Sequence, residues 1–229
     1  MDKAGILALV GGSEWTEGCD AFDAGLLAAS GGSDVLVLPT AAAYQHPERV
    51  ALRAAEWFES LGARVEGLMV VDRASAEDAG MAAEVAGARF VYLSGGSPLH
   101  LRAVLKKSAV FDALRHAWAG GAVLAGAGAG AVVLTDPMVD PRGGALTLGL
   151  GLVDNLTLVP HFGDEHDDAH GQKLERTVAM APAALPVVAL PRRTALIRDG
   201  DGSWRAEGAA DPVVFVGGVA TEGLGALKG

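Results

Sequence analysis

The chain has 229 residues, 50% of them hydrophobic but only 5% aromatic, enough for a sizeable core of Ala, Val and Leu without a metal or disulfide staple. Its 18 basic and 28 acidic residues give a net charge of −10 with no basic cluster, which argues against nucleic acid or an anionic membrane as partner. The 32 glycines follow no fixed period, which excludes collagen-like and simple repeat architectures.

Cys19 is the single cysteine, so no disulfide forms within the chain and a reducing, cytoplasmic setting is expected. Met1-Asp2-Lys3 and the short apolar run after it lack the features of a secretory signal. Every apolar segment is broken by Gly, Pro or charge before the ~20 residues a membrane helix needs.

Short apolar runs at 6–10, 35–38, 65–71, 90–93 and 122–125 read as buried strands. Between them, 21–29, 47–61, 76–85 and 98–118 carry helical periodicity. Pro47 and Pro98 stand where a first helical turn tolerates a missing N–H, and Gly62 and Gly120 where a helix stops. This alternation predicts an α/β fold: a mostly parallel sheet with helices on both faces. Beyond residue 147 strand-like runs crowd together at 156–159, 187–190, 194–197 and 213–216, with one helix near 172–180. Asp199-Gly200-Asp201-Gly202 reads as a hairpin turn, so the C-terminal edge is expected to be antiparallel. No linker or low-complexity stretch interrupts residues 1–229, and one domain is expected.

Ligands of such sheets bind at the carboxyl ends of the strands. That rule selects Gly11-Gly12-Ser13-Glu14, Pro39-Thr40-Ala41, Ser94-Gly95-Gly96-Ser97 and Gly126-Ala127-Gly128-Ala129-Gly130-Ala131. In the last of these a strand runs through a tight small-residue turn into a helix, the setting of a nucleophile elbow, G-x-S-x-G. The flanking Gly126 and Gly130 are present, but the central position is Gly128, which has no side chain.

Four segments in order, Tyr92-Leu93-Ser94-Gly95-Gly96-Ser97, Gly126 to Ala131, Pro137-Met138-Val139-Asp140-Pro141 and Val159-Pro160-His161-Phe162, carry a resemblance. The chain resembles the dipeptidase E and cyanophycinase family of serine peptidases, on the class I glutamine amidotransferase-like fold. The resemblance implies an oxyanion hole from the Gly95-Gly96 turn and the Ala129 amide, and His161 as general base. It also implies an acid that orients this base, for which Asp136 is the first candidate and Asp140 the second. The family's chemistry is hydrolysis of a peptide or isopeptide bond through an acyl-enzyme.

A serine peptidase needs an oxygen that an imidazole deprotonates, and Gly128 supplies none. Loss of the nucleophile in a triad enzyme costs on the order of a million-fold in turnover. The expectation is therefore a peptidase scaffold that is catalytically impaired, or a pseudoenzyme that binds a small peptide or amide. No cofactor and no metal are required, and homodimerisation is left open. Ser94, Ser97 and Cys19 are the only nearby candidates for a replacement nucleophile.

Two other readings stand beside this one. The segment 161–170 holds three imidazoles and four carboxylates, with His166 and His170 spaced i, i+4, a composition suited to metal-assisted hydrolysis. Gly126-x-Gly128-x-x-Ala131 also satisfies a loose nucleotide-binding fingerprint. At the same edge, Glu14 either reads a substrate amine or caps a helix, and Ser97 is a candidate substrate contact.

Overall fold

The computed structural model describes residues 4–163 and 168–228, with their side chains except those of 168–170. The elements run Leu7–Val10 (β1), Asp20–Ser30 (α1), Asp34–Leu38 (β2), Pro47–Ser60 (α2), Arg64–Gly67 (β3), Arg73–Ala76 (α3), Ala79–Gly87 (α4) and Phe90–Leu93 (β4). Pro98–Leu105 (α5), Ala109–Ala119 (α6), Val123–Ala127 (β5) and Ala129–Leu134 (α7) follow. The remainder is Met138–Val139 (β6), Leu146–Thr147 (β7), Thr157–Phe162 (β8), Asp168–Met180 (α8), Val187–Pro191 (β9), Thr194–Arg198 (β10), Trp204–Gly208 (β11), Val213–Val216 (β12) and Val219–Thr221 (β13).

The main sheet has the order β11-β10-β1-β5-β4-β2-β3. Its five strands from β1 to β3 are parallel, and β10 and β11 add an antiparallel edge through the hairpin at 199–202. Alternate strand residues face opposite ways. Ala8, Val10, Val35, Val37, Phe90 and Tyr92 pack against Phe22 and Leu26 of α1 and Ala54 and Phe58 of α2. Leu7, Leu9, Leu36, Leu38, Val91 and Leu93 face Leu101, Val104 and Leu105 of α5 and Val110, Phe111 and Leu114 of α6. Burial on both faces is what the unbroken apolar strands require. Among the described residues no helix is long and apolar enough to cross a membrane.

Several elements differ from the sequence reading. The helix expected over 98–118 is two helices: Lys107 takes a left-handed φ of 57°, and Ser108 restarts the chain by accepting a hydrogen bond from the Phe111 amide at 3.1 Å. The helix expected over 76–85 likewise begins at Ala79, where Asp78 accepts from the Met81 amide at 2.9 Å. The run 65–71 pairs only as far as Gly67. The late strands split between two sheets: β10 joins the main one, whereas β8, β9, β12 and β13 form a second sheet in the order β13-β12-β9-β8. That second sheet brings His161, on β8, to the carboxyl edge of the first.

Candidate active site

Gly128 sits at the bend between β5 and α7 with φ 48° and ψ −103°, a conformation that burdens any residue carrying a β-carbon. Its amide donates to the Val10 carbonyl at 2.9 Å, which ties the bend to β1. The flanking glycines are explained by backbone crowding. A β-carbon on Gly126 would stand 2.7 Å from the Gly130 carbonyl oxygen, and one on Gly130 2.4 Å from that of Leu93. Contact between protein segments accounts for these two glycines without a bound pyrophosphate.

His161 reaches the bend from the second sheet. It lies at a register shift between Pro160 and Phe162, with φ 64°, and its amide turns away from the ladder to donate to the Gly11 carbonyl at 2.9 Å. Such a bulge re-aims one side chain out of a regular strand. The imidazole lies against Gly12, where a β-carbon would stand 2.2 Å from Cε1, so only glycine leaves room for the ring there. On its other side, a β-carbon on Gly128 would stand 3.7 Å from His161 Nε2 and 4.0 Å from the Gly95 Cα. A hydroxyl one bond further out, turned towards the ring, comes within reach of the ~2.6–3.2 Å that proton transfer requires.

A cavity of about 590 Å³ opens over this point, lined among others by Glu14, Gln45, Arg49, Arg53, Gly95, Gly96, Gly128, Ala129 and His161. A smaller one of about 180 Å³ adjoins it through Gly96, Gly128, Ala129 and His161 and extends to Val139 and Lys173. The Gly95-Gly96 turn is held against the 40–42 segment: Ser97 N donates to the Ala41 carbonyl at 2.7 Å, and a β-carbon on Gly96 would strike that oxygen at 2.3 Å. The Gly95 amide donates to Glu14 Oε1 at 2.9 Å.

The structure thus brings Gly128, His161, Gly95, Gly96, Ala129 and Glu14 together. It does not bring the other candidates there. Asp136 Oδ1 accepts from the Gly149 amide at 3.1 Å. Asp140 is bound by Arg142, whose Nε and Nη2 donate at 2.9 and 2.5 Å; these bonds hold its carboxyl well down, at about 2. Neither acid lines either cavity around His161. Ser97 Oγ caps α5 by accepting from the His100 amide at 3.3 Å, and Ser94 is buried with its hydroxyl on the Gly95 carbonyl. Cys19 is buried beside the Ser13 carbonyl, and burial pushes its thiol pKa up, the reverse of what a thiolate nucleophile needs. Among the described residues no group of three or more His, Cys, Asp or Glu is placed to hold a metal. Most of the metal reading's segment, His166 and the side chain of His170 included, lies outside the described residues.

Arg49 and Arg53 are the residues sequence reasoning missed. They stand i, i+4 on α2, opposite its buried Ala54 and Phe58, and the Arg53 guanidinium lies 6.0 Å from the centre of the Trp15 ring. The signal was their spacing on a helix that follows the second strand's carboxyl end.

A glycine-flanked elbow on a parallel sheet, with an imidazole across from its apex, defines a hydrolase scaffold. A sequence model of peptidase family S51 matches residues 7–204, and the chain belongs to that family. Cyanophycinases of Synechococcus elongatus and Trichormus variabilis are each 29% identical to it in matches of 190 and 164 residues, which cover 78% and 67% of this chain. The matches cover 58% and 53% of those proteins, so the chain spans little more than half the length of these relatives. A peptidase from an acI-B1 Actinobacterium superposes with a TM-score of 0.82 at 25% identity, covering 96% of this chain and 93% of that one. A candidate peptidase E protein from Listeria monocytogenes EGD-e shares the fold, with a TM-score of 0.66 at 18% identity over 90% of this chain and all of that one.

Proposed function

We propose that the cleft binds a small peptide or amide and that the acyl-enzyme chemistry of its family is lost from this chain. The observation that carries this is how Gly128 meets His161: a β-carbon there would stand 3.7 Å from Nε2, in ordinary contact, while glycine itself supplies no hydroxyl. His161, the Gly96 turn and the Ala129 end of α7 still line one cleft around the bend at Gly128. Arg49 and Arg53 give the same cavity two guanidinium groups suited to a ligand carboxylate. The retained parts bind and orient; the missing one forms the covalent bond.

Titration calorimetry with Asp-containing dipeptides is expected to show saturable binding, abolished by Arg49→Met/Arg53→Met. Incubation with the same dipeptides and with cyanophycin-like substrates is expected to release no amino acid above background. Turnover at the rate of a working peptidase would overturn the reading.

A further inference from the structure

We propose that Glu14 is an internal occupant of the cleft, which a ligand must move from the Gly95 amide towards Arg53 before it can bind. This rests on the binding reading above and names how that same site is controlled.

The contact joins residues 81 apart in sequence: Glu14 Oε1 accepts from the Gly95 N–H at 2.9 Å. The carboxylate lies along the turn, since a β-carbon on Gly95 would stand 2.9 Å from Oε1 and 3.6 Å from Oε2. Gly95 Cα in turn is 4.0 Å from where the missing side chain of residue 128 would begin. Glu14 therefore holds a donor beside the reacting point, and an N–H already bonded to a carboxylate is not open to a ligand oxygen.

The segment that delivers Glu14 is firmly fixed. Ser13 and Trp15, on either side of it, take left-handed φ values of 55° and 58°, which only a well-determined surrounding sustains. Trp15 supplies it, buried with its ring 5.1 Å from that of Tyr92. The backbone stays in place, and the freedom left is rotation of the Glu14 side chain. Arg53 is the destination we assign: its guanidinium lies over the ring of the neighbouring Trp15, it lines the same cavity as Glu14, and no carboxylate pairs with it among the described residues. The side chain then has two sites, the Gly95 amide in the closed state and the Arg53 guanidinium in the open one. A ligand presenting a carbonyl or carboxylate oxygen to Gly95 selects the second.

The test measures affinity for aspartyl-alanine and its N-acetylated form in the unaltered chain, Glu14→Ala, Arg53→Met and Glu14→Ala/Arg53→Met. Glu14→Ala is expected to bind both peptides tighter by about ten-fold or more, the scale of one charge-assisted hydrogen bond that no longer has to be broken. Arg53→Met is expected to weaken binding clearly more in the unaltered chain than in the Glu14→Ala background. The Gly95 amide proton is expected to shift upfield in Glu14→Ala and to exchange faster. Weaker binding of the free-amine peptide by Glu14→Ala would overturn the proposal and make Glu14 a reader of the ligand amine. An equal Arg53 effect in both backgrounds would also overturn it. Binding without relief in Glu14→Ala defeats the gate alone, whereas no binding by any variant defeats the ligand reading and the gate with it.

Discussion

Replacing Asp23 by Asn is expected to change how stability depends on pH, by an amount that follows from its surroundings. Asp23 lies on α1 and is fully buried; Oδ2 accepts from Trp57 Nε1 at 2.9 Å, while Oδ1 has no partner among the described residues. Burial is the main cause that lifts its pKa from 3.8 to about 7, with Asp20 and Glu14 adding to it and the Trp57 bond opposing it. The native state keeps this proton to about pH 7, whereas the unfolded chain gives it up near 3.8. Between those values the native state binds more protons, so the contribution of Asp23 to stability falls as pH rises and stays low above the window. At roughly 1.4 kcal/mol per pKa unit the loss comes to about 4 kcal/mol. Asn keeps an acceptor for Trp57 and does not ionise. Urea unfolding of both proteins from about pH 4 to pH 8 is expected to show Asp23→Asn gaining on the unaltered chain by about 4 kcal/mol up to pH 7, then holding level. A difference that stays flat across the window would refute the argument from burial.

Two further outcomes test the architecture of the cleft. Gly12→Ala places a β-carbon 2.2 Å from His161 Cε1 at a φ of 109°, so the ring must move; urea unfolding is expected to show a loss of roughly 2–4 kcal/mol. An unchanged midpoint would contradict the packing of the imidazole on that glycine. Arg142→Ala frees the Asp140 carboxyl, whose titration is expected to rise from about 2 towards 3.8 when followed by carbon NMR. A carboxyl that stays low would mean that another group holds it.

The parts of the fold legible in the sequence are those where burial is two-sided. β1, β4, β5 and residues 35–38 of β2 are unbroken apolar runs, and β-α punctuation by Pro47, Pro98, Gly62 and Gly120 marks the helices between them. The breaks at Lys107 and Asp78 were not legible, because helical periodicity runs on across them and only a local left-handed residue or a capping side chain stops the helix. The division of the late strands between two sheets was equally hidden, since Leu158, Leu190, Leu196 and Val214 are all fully buried and apolar whichever sheet they join. At the site, backbone-determined features could be read: the glycines of the elbow and of the Gly95-Gly96 turn stand out by composition. Side-chain partnerships could not. Nothing in the sequence says that Glu14 meets the Gly95 amide, that Arg142 claims Asp140, or that Arg49 and Arg53 turn towards the same cavity as His161.

The central claim is that the bend at residue 128 lacks only its side chain, and Gly128→Ser tests it most directly. Serine at φ 48° and ψ −103° is expected to cost about 1–3 kcal/mol, a loss of several degrees in Tm that leaves the protein folded. Its hydroxyl would extend from a β-carbon 3.7 Å from His161 Nε2. Treatment of folded Gly128→Ser with a fluorophosphonate, read by intact mass, is expected to give one covalent adduct on residue 128. The unaltered chain and Gly128→Ser/His161→Ala are expected to give none. A folded Gly128→Ser protein that stays unlabelled, or one labelled equally well without the imidazole, would contradict the account.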